Sequence, residues 1–199
     1  MLNNKAAMFG LDARIALAIF GALSVISGAE LYSAIQSAKV TQILTIFSEI
    51  TKSLEAYALD TGELVGLSEH STLMDLGELT ESSKTGWAGP YIDYKAIDSS
   101  TYCTSCVLQI PSFNTFVGMR YFKHDATCGY WGGCIDICTD GADCTVWLSL
   151  EGPSVDFIKQ VDERVDGTLD HTEGRIRYHS ASAATSNLWI NTGIPVDQF

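Results

Sequence analysis

The side chains best able to do chemistry are six cysteines, Cys103, Cys106, Cys128, Cys134, Cys138 and Cys144, spaced C-x2-C, C-x21-C, C-x5-C, C-x3-C and C-x5-C. Cys103 and Cys106 have metal-ligand spacing, but a zinc site of this kind wants a second such pair, and the other gaps fall in strand-like sequence. A redox C-x-x-C opens a helix in a βαβ unit, whereas Tyr102 to Val107 reads as a strand. Oxidised, the six would staple a loop-rich sheet. Fifteen pairings are possible; the expectation is Cys103 with Cys106 and the other four among themselves. Two acidic groups, Asp136, Asp140 and Asp143 around Gly141, and Asp162, Asp166 and Asp170, have the oxygen ligands a hard cation takes. Neither follows an EF-hand loop, and acidic turns in so acidic a chain read as solvated surface. His70, His124, His171 and His179 are scattered, with no G-x-S-x-G, H-E-x-x-H or phosphate loop beside them. Trp87, Trp131, Trp147 and Trp189 would make a sugar-binding shelf if exposed, but in strands they read as core. The expectation is a protein that is not an enzyme and holds no metal or cofactor.

The chain has 199 residues, 24 acidic against 12 basic, a net charge of −12 and a pI near 4.5. That excludes a generic nucleic-acid binder. With 46% hydrophobic and 18% charged residues, there is apolar material for one packed domain. Disulfides require an oxidising compartment, and the N-terminal sequence supplies a route to one. Residues Ile15 to Ala29 are uncharged, and the apolar stretch from Met8 is interrupted only by Asp12 and Arg14. A bilayer core takes about 20 helical residues. Lys5 and Arg14 lie on the N-terminal side and acid prevails beyond Glu30, so the N-terminus stays cytoplasmic and the bulk of the chain outside.

The helical pattern does not stop at the membrane segment. Val40, Ile43, Leu44, Phe47, Ile50, Leu54, Tyr57 and Ala58 recur at steps of three and four, with no proline before Leu59 and the first stop at Gly62. From Met8 to Leu59 this predicts one helix of ~78 Å, apolar on every side in its first half and on one face in its second. Strands are expected at Tyr102 to Ile110, Thr115 to Phe122, Gly129 to Ile137, Thr145 to Leu150, Arg175 to His179 and Leu188 to Asn191. A helix is expected between Pro153-Ser154 and Gly167. The fold class is α+β: a long N-terminal helix whose apolar first half protrudes, packed through its second half on an antiparallel sheet with disulfide-stapled loops.

These residues resemble the type IV pilins and the pseudopilins of type II secretion. Members carry a short basic leader, a cut before an apolar residue, an acid at the fifth mature position and an unbroken apolar helix. With Met8 as first mature residue, MFGLD places Asp12 fifth and Gly21 fourteenth, where such pilins commonly have glycine. The sequence departs from the family in having Ala7 rather than glycine before the cut and aspartate rather than glutamate as the acid. GWAGPYID, from Gly86 to Asp93, resembles the loop after the long helix, and FIKQVDERVDGTLDHTEGRIRY, from Phe157 to Tyr178, resembles a helix, acid-rich turn and strand of many members. The resemblance implies a pilin-like head, with residues 1–7 a leader, 8–36 the membrane and assembly helix, and 37–199 the head including the second half of the long helix. It implies processing between Ala7 and Met8 by a prepilin peptidase, and assembly through Asp12 and Gly21 into a helical homo-oligomer, served by an inner-membrane platform and a motor ATPase. The bacterial inner membrane would hold the precursor, and the cell-surface filament the product. A minor pilin or pseudopilin of a secretion or DNA-uptake system stays open, as does a secreted disulfide-rich binding domain cleaved after Ala29, where Ser27-Gly28-Ala29 suits a signal peptidase.

Overall fold

The structure, a computed structural model, describes residues 4–68, 73–99, 103–123, 138, 143–178 and 187–196; for residues 4–9, 11, 99, 103 and 104 it describes the backbone alone. The chain divides into two compact units, Met1–Gln42 and Ile43–Phe199. Helix α1 (Asn4–Thr61) forms the described part of the first and opens the second. It ends where expected. Gly62 takes φ 77°, a left-handed conformation open to a residue without Cβ, and its N–H returns to the Ala58 carbonyl at 2.9 Å.

The second unit is built on a six-stranded, wholly antiparallel sheet. Its strands are β1 (Ala96–Ser99), β2 (Cys103–Ile110), β3 (Thr115–Lys123), β4 (Cys144–Leu150), β5 (Ile176–Tyr178) and β6 (Leu188–Pro195), in spatial order β1-β2-β3-β4-β6-β5. Five of these overlap expected strands. The short β1 has no alternating pattern to announce it, and the expected strand from Gly129 to Ile137 lies outside the described residues. Helix α2 (Val155–Asp166) lies between β4 and β5 with both caps the sequence suggests. The Ser154 hydroxyl accepts the Phe157 N–H at 3.3 Å, and Gly167 closes the helix at φ 72°. Phe157, Ile158 and Val161 are buried beneath it.

Register decides what faces the long helix. Met119 pairs with Leu148, Leu148 with Ile190, and Ile190 with Ile176, which sets one apolar row across four strands. Within the second unit, Ile43, Phe47, Ile50, Leu54 and Tyr57 of α1 are buried, four of them completely. The two sets meet along a cleft of about 490 Å³ whose walls include Leu44 and Phe47 from the helix and Leu148 and Ile190 from the sheet. The opposite face carries Phe122 and Trp147 as a second buried cluster with Trp189 against it, and the guanidinium of Arg120 lies 5.5 Å from the Trp189 ring. Every residue of β4 is buried, Thr145 and Ser149 included. Both faces of that strand are therefore covered, whereas the sequence reading accounts for one.

The GWAGPYID segment fastens the C-terminal end of α1. Tyr91 meets Tyr57 and Trp87 edge-on, at 5.8 and 5.9 Å. Its hydroxyl donates to Asp60 at 2.8 Å, its carbonyl accepts from Ser53 at 2.9 Å, and the Trp87 indole donates to the Glu78 carbonyl at 2.9 Å. Gly86 sits at φ 90° so close to the helix that a Cβ would strike the Asp60 carbonyl oxygen. Both the left-handed backbone and the missing volume require glycine there. Gly86→Ala is expected to destabilise the head by about 2–3 kcal/mol, read as a lower urea midpoint at unchanged slope, with α1 keeping its helical circular dichroism.

Candidate functional site

In the first unit every side chain from Asp12 to Ile35 is exposed. They include Ile15, Leu17, Ile19, Phe20, Leu23, Val25, Ile26 and Leu31, each more than half open to its surroundings. At 100° per residue these positions ring the helix, so no one-sided core could cover them. By length and composition α1 could cross a membrane, and it is the one described helix that could. Asp12 and Arg14 stand among the apolar residues near its start. Two residues apart, they point to different sides of the helix. Gly21 and Gly28, seven residues apart and hence on nearly one face, have no atom within 4 Å of where a Cβ would lie. With Ser24, whose hydroxyl turns back to the Phe20 carbonyl at 2.8 Å, they form a small-residue seam along which another backbone could approach closely. Of Ala7 and Met8 the structure describes helical backbone only.

Cys138 and Cys144 are bridged, with Cα atoms 5.8 Å apart. The bridge closes a short loop directly before β4. Cys106 is buried and disulfide-bonded, and no described cysteine is free. Cys128, Cys134 and the Cys103 side chain lie outside the described residues, as do His70, His124, His179, Trp131, Asp136 and Asp140. Trp147 is 1% exposed, and Trp87 and Trp189 are half-buried, so none of the three forms an open shelf.

The acidic turn after α2 has structural tasks for two of its carboxylates. Asp166 Oδ2 accepts the Ile176 N–H at 2.8 Å, and Asp170 Oδ1 accepts both the N–H and the hydroxyl of Thr172, at 2.9 and 2.7 Å. Gly174, at φ 83°, leaves room that a Cβ would take from the Asp166 carboxylate. Asp162 differs. It is fully buried, beside the Tyr178 hydroxyl and the Asp170 backbone, whose polar contacts only partly offset the burial. Among the described residues no three Cys, His, Asp or Glu side chains converge as metal ligands.

A polar network at the far end of α1 escaped the sequence reading. The Tyr57 hydroxyl donates to Glu78 Oε2, and Lys84 Nζ lies 2.9 Å from Glu63 and 3.5 Å from Glu78. Burial and the Glu78 carboxylate push the Tyr57 phenol up to about 12. Burial opposes the Lys84 charge, but its bonds to Glu63 and Tyr57 outweigh that and raise its pKa. Nothing in the spacing of residues 57, 63, 78 and 84 signals this; the loop has to fold back first. The arrangement contains acids, a cation and a phenol that are spent on one another, and its chemistry is that of a clasp.

Comparison with known proteins brings no match: no family model fits the chain, and neither a curated protein nor a solved structure aligns with it significantly.

Asp162 generates a pH prediction. Burial, then the neighbouring Asp166 charge, lifts its carboxyl to about 6, against an ordinary value of 3.8. The fold therefore favours the neutral form. Its ionisation weakens the head as pH rises through about 6, and the loss is relieved as pH falls toward the ordinary value. Asp162→Asn should be more stable than the parent by roughly 1–3 kcal/mol at pH 7.5. The difference should shrink between pH 6 and pH 4, as measured by urea denaturation across that range.

Proposed function

We propose that this chain is a structural subunit of a type IV pilus-like filament. It is held in the bacterial inner membrane as a precursor, cut between Ala7 and Met8 by a prepilin peptidase, and polymerised through its first helix into a homo-oligomer at the cell surface. An inner-membrane platform and a motor ATPase serve the assembly, and no catalytic chemistry is assigned to the subunit.

One observation carries the reading. The same helix that supplies the core stripe of the second unit is, from Asp12 to Ile35, ringed by exposed apolar side chains. Such a surface is stable only in lipid or among similar surfaces. Apolar burial is worth about 25 cal/mol per Å² against water, but lipid already supplies most of that. Filament must therefore be selected over membrane by close packing along the Gly21–Gly28 seam and by pairing of charge. An unpaired carboxylate in hydrocarbon costs several kcal/mol. The amino group freed at Met8 of a neighbouring copy would neutralise Asp12 and set the axial register.

N-terminal sequencing of protein sheared from the cell surface is expected to begin at Met8; a start at Glu30 would show a secreted head without its stalk and end the proposal. Asp12→Ala should leave membrane insertion intact and reduce sheared filament by an order of magnitude or more, about 1.4 kcal/mol per tenfold step. Normal filament yield from that variant would refute the pairing role.

A further inference from the structure

The cleft between α1 and the sheet in the second unit carries two cations, Lys52 and Arg175. The Arg175 guanidinium is held in place by bonds from Nε and Nη2 to the Asn191 carbonyl, at 3.3 and 3.2 Å. Neither cation forms an ion pair with a described residue; the described pairs belong to Lys84. Glu55 lines the same cleft, and the rim still keeps a net positive charge. Leu44, Phe47, Leu148 and Ile190 give the cleft an apolar part, beside the polar Ser48, Thr51 and Asn191. In a chain with 24 acids against 12 bases, two cations with no carboxylate partner among the described residues, beside an apolar part of the cleft, suit an acidic, apolar-tipped occupant.

The same unit presents such a tip. Leu169 is 59% exposed in the turn between α2 and β5, with Asp166, Asp170 and Glu173 around it. A single exposed leucine is ordinary, but this one stands on a fixed support. Gly167 caps α2, Asp166 holds the Ile176 N–H, and Asp170 holds Thr172, so little conformational freedom remains to be lost on contact. The Thr172 bonds also hold the Asp170 carboxyl below its usual range. Leu59 is more exposed, at 78%, but it stands at the end of α1, where the acids beside it, Asp60 and Glu63, are tied to the Tyr91 and Lys84 side chains. The bonds of Asp166 and Asp170, by contrast, stay within the Leu169 turn and its flanking strand.

We propose that the Leu169 turn of one copy seats in the Lys52–Arg175 cleft of a second copy, as a head-to-head contact of the assembled protein. Donor and acceptor patches differ, so each copy gives one turn and receives another. A contact of that type closes into a ring or continues as a helix. The inference rests on the filament reading for its setting, but the contact can be tested separately.

The test places a benzophenone amino acid at position 169 of the full-length chain and illuminates both the sheared surface fraction and the membranes. Covalent dimers with the adduct mapped by mass spectrometry to residues 44–55 or 188–192 of the second copy are expected. Lys52→Glu should lower their yield about tenfold, and adding Glu173→Lys should restore part of it, with tryptophan emission unchanged throughout. Filaments whose adducts map elsewhere, or a dimer yield indifferent to Lys52→Glu, overturn the contact and leave the filament reading standing. Cleft adducts from membranes of cells that never make filaments uphold the contact and overturn the filament reading. Neither filaments nor adducts would overturn both.

Discussion

Apolar side chains have to leave water, and the long helix satisfies that demand in one unit and leaves it unmet in the other. From Ile43 onward its apolar positions recur at three and four residues, so they form a stripe, and a stripe can be covered by a single sheet face. Met119, Leu148, Ile190 and Ile176 form the covering row because the ladder registers bring them level. Between Ile15 and Ile35 the apolar positions go all the way round. No sheet of one's own can wrap a cylinder, so the cover has to come from lipid or from other chains. This difference in angular distribution along one continuous helix is the physical ground of the proposed filament.

Much of the remaining architecture keeps the covered half in place. The helix ends at a left-handed glycine, and the loop beyond it doubles back to tie Asp60, Ser53 and Tyr57 through Tyr91 and Glu78. Gly86 lets the loop approach that closely. At the other end of the sheet, the turn after α2 uses carboxylates as backbone acceptors. Acids that read as solvated surface in sequence serve there as backbone acceptors: Asp170 closes a local ring with the Thr172 N–H two residues on, and Asp166 reaches across to the Ile176 N–H. Asp162 is the exception: it is fully buried, and burial together with the Asp166 charge pushes its carboxyl pKa up.

Legibility followed the range of the interaction. Gly62, Ser154 and Gly167 end or begin helices in the structure where the sequence places those boundaries, since capping is settled within four residues. Strands β2, β3, β4, β5 and β6 show in β-branched and aromatic runs, while the four residues of β1 are too short to show a period. Ile46, buried beside Phe47, stands three residues after Ile43 and four before Ile50, so the same period places it on the covered face. The exposed ring from Asp12 to Ile35, which the candidate site depends on, was legible throughout, being a property of composition alone.

By itself, then, the sequence determined the continuous helix, its change from all-round to one-sided apolarity, both caps of α2 and the α+β class, all consequences of local backbone preference and periodic patterning. Tertiary structure alone decided the strand order with β6 between β4 and β5, the burial of both faces of β4, the clasp of Tyr57, Glu78 and Lys84, and the burial of Asp162. Each of these joins residues brought near one another by chain reversals. The contact energies that select among such reversals are spread over many weak pairings, and no short window of residues contains them.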